Sequence, residues 1–206
     1  MNVLEIIRNN RKNIILLAVS IITYTLIIFA VMSFCSIDSI STTLKKIIQN
    51  AFYIIMFLGT ILLMKISPKS FLDFGFFKNK LFKQILIGLA IGLGNMLIMF
   101  IFRKLPQLPQ NTLYVILSQI LVGLSEEAFF RGFILTSLNE ITKSKDLSIF
   151  ISALFFALCH ISVYSSIVQI IPIFLMGIFM AVLRTEFKDS IGIISLAVGH
   201  ALFNIF

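Results

Sequence analysis

Glu126, Glu127 and Arg131 lie inside an apolar stretch that reads Gly-Leu-Ser-Glu-Glu-Ala-Phe-Phe-Arg-Gly-Phe. Both histidines of the chain, His160 and His200, fall in other apolar stretches, and Asn204 follows His200 by four residues. Carboxylates and imidazoles take and give protons near neutral pH, and amide or imidazole N–H groups can steady a developing oxyanion. A charge at the centre of a membrane helix costs roughly 2.5–3.5 kcal/mol on the insertion scale, so three together must face a bundle interior. Glu127 and Arg131 stand at i and i+4, the favoured orientation for an ion pair along a helix. Glu126 is rotated about 100° from Glu127 and has no such partner on its own helix. Glu127 is therefore expected to be held ionised by Arg131. Glu126, buried without a cation, is freer to take or give a proton.

The elements that must position these groups are membrane helices. With 59% apolar residues and a mean hydropathy of +1.04, the 206-residue chain cannot cover itself as a soluble domain does. Seven spans are expected, over Ile14–Phe34, Ile47–Met64, Gln84–Phe102, Thr112–Leu138, Leu147–Ile161 (extending toward Ser165), Ser166–Leu183 and Ile191–Phe206. Between them lie breakers: Ser67-Pro68, Pro106 and Pro109, and the polar stretch Thr142–Asp146. Gly88 and Gly92 form a GxxxG pair suited to close helix packing, and Pro172 is expected to kink the sixth span. The fold class is thus an all-α polytopic bundle of about seven helices. Residues 1–83 are read as N-terminal helices and a cytoplasmic loop, and 84–206 as the core of one continuous membrane domain.

The formal charge of +8 lies between the spans. With a cytoplasmic N-terminus, the inner segments hold twelve basic residues (Arg8, Arg11, Lys12, Lys65, Lys69, Lys78, Lys80, Lys83, Lys143, Lys145, Arg184, Lys188). The outer segments hold four, Lys45, Lys46, Arg103 and Lys104, a positive-inside bias that points to a multi-pass protein of the cell membrane. The basic balance therefore meets anionic lipid heads; no strand-binding groove, and so no nucleic-acid partner, is expected. Cys35 and Cys159 read as small apolar fillers without a disulfide. The N-terminal apolar run is too long for a signal-peptide core, and no lipidation motif is visible at either end.

At ~1.5 Å per helical residue, Glu126 and His160 each lie roughly 20 Å from the inner surface, with His200 and Asn204 at about 15 and 21 Å. Singly, each group has a plainer role: a buried histidine packs, a Glu–Arg pair clamps, an asparagine bridges helices. Three helices placing such groups in one layer favour a shared site.

Glu-Glu-x-x-x-Arg (Glu126, Glu127, Arg131), Phe-x-x-x-His (Phe156, His160) and His-x-x-x-Asn (His200, Asn204), in that order on successive spans, resemble the CPBP family. These are the CAAX-protease and bacteriocin-processing proteins, also called Abi, and the resemblance covers about residues 84–206. It implies an intramembrane endopeptidase acting on a membrane-associated peptide or protein. By motif match, Glu126 and His160 would activate water, His200 and Asn204 would steady the oxyanion, Glu127 and Arg131 would hold the geometry, and Phe156 would pack. The family is often named as metalloproteases, so a divalent metal such as zinc is one option. Without an HExxH pair, a metal-free glutamate mechanism is the preferred one. The last span has only two residues beyond Asn204, and is expected to end inside the bilayer. Two other readings compete: a non-catalytic bacteriocin self-immunity or accessory membrane protein, and a transporter relaying protons through Glu126 and His160. The absence of inverted repeats counts against the transporter.

Overall fold

A computed structural model describes residues 3–77, 80–100, 112–161 and 167–205. Lys78, Arg103, Lys104, Pro106, Pro109, Ser165, Ser166 and the side chain of Arg8 lie outside the described set, as do the last residues of the third and seventh spans, Phe102 and Phe206. The described residues form α1 (Val3–Cys35), α2 (Thr42–Ile66), α3 (Leu81–Phe100), α4 (Thr112–Glu127), a π-helical segment (Ala128–Ile134), α5 (Leu135–Thr142), α6 (Lys145–Leu158), α7 (Ile167–Glu186) and α8 (Ile193–Ile205). Counting α4, the π segment and α5 as one rod gives the seven helices expected, with no strand among the described residues. Among the described residues three stretches are long and apolar enough to cross a membrane: Asn10–Cys35, Thr42–Ile66 and Leu113–Thr142. α7 runs through Pro172 without interruption.

Local chemistry explains the boundaries. Ser41 caps α2 by accepting the Leu44 N–H, and α2 ends at Ile66, because Ser67 before Pro68 is pushed to extended geometry (ψ 150°). The polar stretch after α5 makes a tight corner. Lys143 takes the left-handed conformation (φ 55°), and Ser144 caps α6 through the Leu147 N–H.

Small residues set the helix spacings. On α3, a Cβ at Gly88 would stand 2.6 Å from the Val198 side chain, and one at Gly92 2.5 Å from Leu202, so the GxxxG pair is the seat of α8. On α4, a Cβ at Gly123 would stand 2.6 Å from the Ala197 carbonyl oxygen of α8. α2 runs parallel to α4: Asn50 bonds Tyr114 and Ser118, and further along, Ser125 donates to the Tyr53 carbonyl. α8 runs antiparallel to α4, since Ala197 meets Gly123 and Asn204 meets Gln119. These directions agree with spans that alternate across a bilayer.

Two boundaries differ from the expectation. The long fourth span is not a uniform α-helix. Over Ala128–Ile134 it widens, and the Leu135 N–H reaches back five residues to the Phe130 carbonyl, which also accepts from Ser152 Oγ at 3.1 Å. The fifth span, expected to run to Ile161, stops at Leu158. There the backbone tightens, with His160 N–H bonding Ala157 O and Ile161 N–H bonding Leu158 O. His160 thus sits in a turn at the end of α6 rather than within a helix.

Candidate active site

The buried centre has a closed side. Arg131, fully buried, donates from Nη1 to Glu127 Oε1 at 3.0 Å and from Nη2 to the Gly177 carbonyl of α7 at 3.3 Å. Its guanidinium lies 4.2 Å from the centre of the Phe156 ring, a cation–π contact in a water-poor place. Phe156 therefore does more than fill space: its ring also meets His160 (4.6 Å between centroids) and His200 (5.8 Å, edge-on). Glu127 Oε1 accepts a second hydrogen bond, from His200 Nδ1 at 2.8 Å. Because Glu127 faces Arg131 as a carboxylate, it accepts and His200 Nδ1 carries the hydrogen.

The other side is open. His160 Nδ1 lies 2.7 Å from the Phe156 carbonyl, four residues back, which can only accept. The ring thus caps the end of α6, taking the carbonyl that a continued helix would have given to the His160 N–H. With both Nδ1 atoms committed, each ring turns its Nε2 toward Glu126. His160 Nε2 is 4.0 Å and His200 Nε2 3.8 Å from the same atom, Glu126 Oε2, which makes no hydrogen bond and is buried. These separations are too long for direct hydrogen bonds. A water about 2.8 Å from both His160 Nε2 and Glu126 Oε2 would subtend about 90° at its oxygen, close to what two O–H bonds can serve. The His160 side chain is 19% exposed against 2% for His200, so access is from the His160 edge.

Of the residues singled out in the sequence, Glu126, Glu127, Arg131, His160 and His200 converge. Asn204 does not join them: it is exposed, and its amide donates to Gln119 Oε1 on α4 at 3.0 Å. Gln119 lies seven residues before Glu126 on the same face of α4, about 10 Å along the axis. Gln119 was missed, as were two tyrosines within electrostatic reach of the Glu126 carboxyl, Tyr24 on α1 and Tyr53 on α2. Cys35 and Cys159 are free thiols.

The donor set does not fit a zinc ion as it stands. Ligand atoms around tetrahedral zinc lie roughly 3.4 Å apart, closer than the 3.8 and 4.0 Å found here. Among the described residues no group of three or more His, Cys, Asp or Glu is placed to hold a metal.

A bundle with membrane-length apolar helices and buried carboxylates facing imidazoles is that of a membrane protein whose ionisable groups gather at one place. Residues 108–206 match the family model described as type II CAAX prenyl endopeptidase Rce1-like. Over residues 108–206 the chain matches that CAAX-protease family, in agreement with the motif resemblance, and its long apolar helices are those of a membrane protein. Searches of curated proteins and of solved structures returned no match.

Proposed function

We propose that the protein is an intramembrane endopeptidase that cleaves a membrane-associated peptide with water activated by Glu126. The observation that carries this reading is the convergence of both imidazole Nε2 atoms on the one unbonded, buried oxygen of Glu126, at 4.0 and 3.8 Å. A water lodged there donates one hydrogen to Glu126 and one to His160 Nε2, leaving a lone pair for the scissile carbonyl carbon. Its oxygen bonds that carbon as Glu126 takes a proton, and the carbonyl π pair moves onto oxygen. The C–N bond then breaks, and the leaving amine receives the proton from Glu126. His200, oriented by Glu127, is the nearest ring to the oxyanion side; whenever its Nε2 carries a proton, Glu127 holds the countercharge. Asn204 acts on that side only through its place beside Gln119 on the adjoining turns.

The substrate class follows from location: a peptide tail presented at the bilayer, entering from the His160 edge. The N-terminus is assigned to the cytoplasm from the positive-inside bias, and residues 84–206 form the catalytic core, supported by the seating of α8 on α3 and α4. The test is cleavage of a farnesylated CAAX peptide, and comparison of new protein termini in membranes, by wild type and Glu126→Gln. The variant keeps the side chain's shape and removes the base. Loss of roughly 10²–10⁴ in rate is expected, the usual contribution of a general base. Full-rate cleavage by Glu126→Gln rejects the mechanism. Toxin protection that survives the substitution favours the immunity reading.

A further inference from the structure

The described centre is rich in acceptors and poor in donors. Glu126 Oε2 and Glu127 Oε2 are buried and unbonded, both imidazoles have their Nδ1 hydrogens committed, and the Asn204 amide is spent on Gln119. A peptidase needs the opposite on one side, a donor aimed at the carbonyl oxygen that becomes negative.

Of the donors that remain, Arg131 Nε lies on the closed side under Phe156 and the Tyr53 hydroxyl is engaged by Glu126, which leaves one hydroxyl to consider. Tyr24, on the buried stripe of α1 with Leu17 and Ser20, is 5% exposed, and its hydroxyl is buried without a hydrogen-bond partner. Such orphaned hydroxyls are uncommon in native structures and ask for a reason. Packing does not supply one, because phenylalanine would fill the same space, and this chain uses 22 Phe against 4 Tyr. The ring is fixed by Phe129 (4.6 Å between centroids), Phe130 (5.6 Å, edge-on) and Phe52 (6.1 Å). Two of these belong to the π segment that begins directly after Glu127. Glu126, Cys159 and Tyr53 lie within electrostatic reach of the hydroxyl: the carboxyl that the mechanism uses, the first residue of the turn that carries His160, and the second tyrosine.

We propose that the Tyr24 hydroxyl is a catalytic donor: it hydrogen-bonds the oxygen of the scissile carbonyl, more strongly as that oxygen becomes negative, and keeps its own proton throughout. This rests on the peptidase reading. It also makes α1, which lies outside the family-matched residues 108–206, part of the site.

The test uses the full chain in lipid nanodiscs, with Tyr24→Phe, Glu126→Gln and wild type assayed side by side on the farnesylated CAAX peptide. Tyr24→Phe should lower kcat roughly 10²- to 10³-fold, the loss found on deleting one oxyanion donor, with KM little changed. Its thermal midpoint should match or exceed wild type, by about 2–4 °C, since the hydroxyl has no partner to lose. Full-rate cleavage by Tyr24→Phe while Glu126→Gln is dead overturns the Tyr24 role and leaves the peptidase reading standing. A lowered midpoint overturns it too, because it means the hydroxyl has a structural partner. Absence of cleavage by wild type, on the peptide and in membranes, ends the peptidase reading and this proposal with it.

Discussion

Two glutamates one residue apart live in different chemistry. Glu127 is tied down: Arg131 and His200 both bond its Oε1, Arg131 also holds the α7 backbone, and Phe156 covers the guanidinium. Glu126 faces two imidazoles without touching either, beside the partly exposed His160. The difference comes from about 100° of helix rotation. One face of α4 and the π segment meets α7 and α8; the next meets the end of α6, α1 and α2. What it teaches is that a twin-acid motif can divide labour, one acid for architecture and one for proton transfer.

That division can be broken from the closed side first. Arg131→Leu leaves Glu127 an uncompensated buried charge, and roughly 3–5 kcal/mol of stability should be lost, as for other buried pairs cut on one side. Thermal unfolding in detergent would show it, and it should exceed any shift caused by Glu126→Gln, whose amide oxygen can still accept from the Tyr53 hydroxyl. Equal destabilisation by the two variants would erase the contrast.

A smaller effect separates the two acids by geometry. Gly123→Ala drives a methyl against the Ala197 carbonyl, where a Cβ would stand 2.6 Å away. Relief moves α8, and with it His200, away from Glu127. The cost expected is about 1–3 kcal/mol. Activity should fall with stability, and a structure of the variant should show the His200–Glu127 bond lengthened beyond 2.8 Å.

The smallest effect belongs to Asn204. Asn204→Ala and Gln119→Ala should each lower the cleavage rate by roughly two- to tenfold, the worth of one exposed hydrogen bond, and the double variant should cost no more than either alone. A loss of 10³-fold for Asn204→Ala with Gln119→Ala harmless would put its amide on the oxyanion and redraw the open side.

Much of the fold was legible because membrane helices announce themselves by length and apolarity, and because basic residues mark their ends. The Glu127–Arg131 pair was legible from spacing alone, since i and i+4 share a face whether or not the neighbours are known. Other features depend on partners far away in sequence. The Asn204–Gln119 bond needs the register of α8 on α4, which Gly123 sets. Tyr24 and Tyr53 belong to no motif and lie within spans; only the packing of α1 and α2 near Glu126 gives their hydroxyls meaning. The π segment carries no composition of its own, and the early stop of α6 depends on a histidine ring replacing a backbone donor.

That early stop has a consequence for the surrounding lipid. Fourteen residues of α6 rise about 21 Å, short of the roughly 30 Å of hydrocarbon in a bilayer. Non-helical backbone at such depth is tolerated only beside protein or water. The Cys159–Ile161 turn must therefore lie against protein or water rather than lipid. Beside longer neighbours such as α1 and α2, so short a helix leaves a local step in the hydrocarbon that acyl chains must meet by tilting or shortening there.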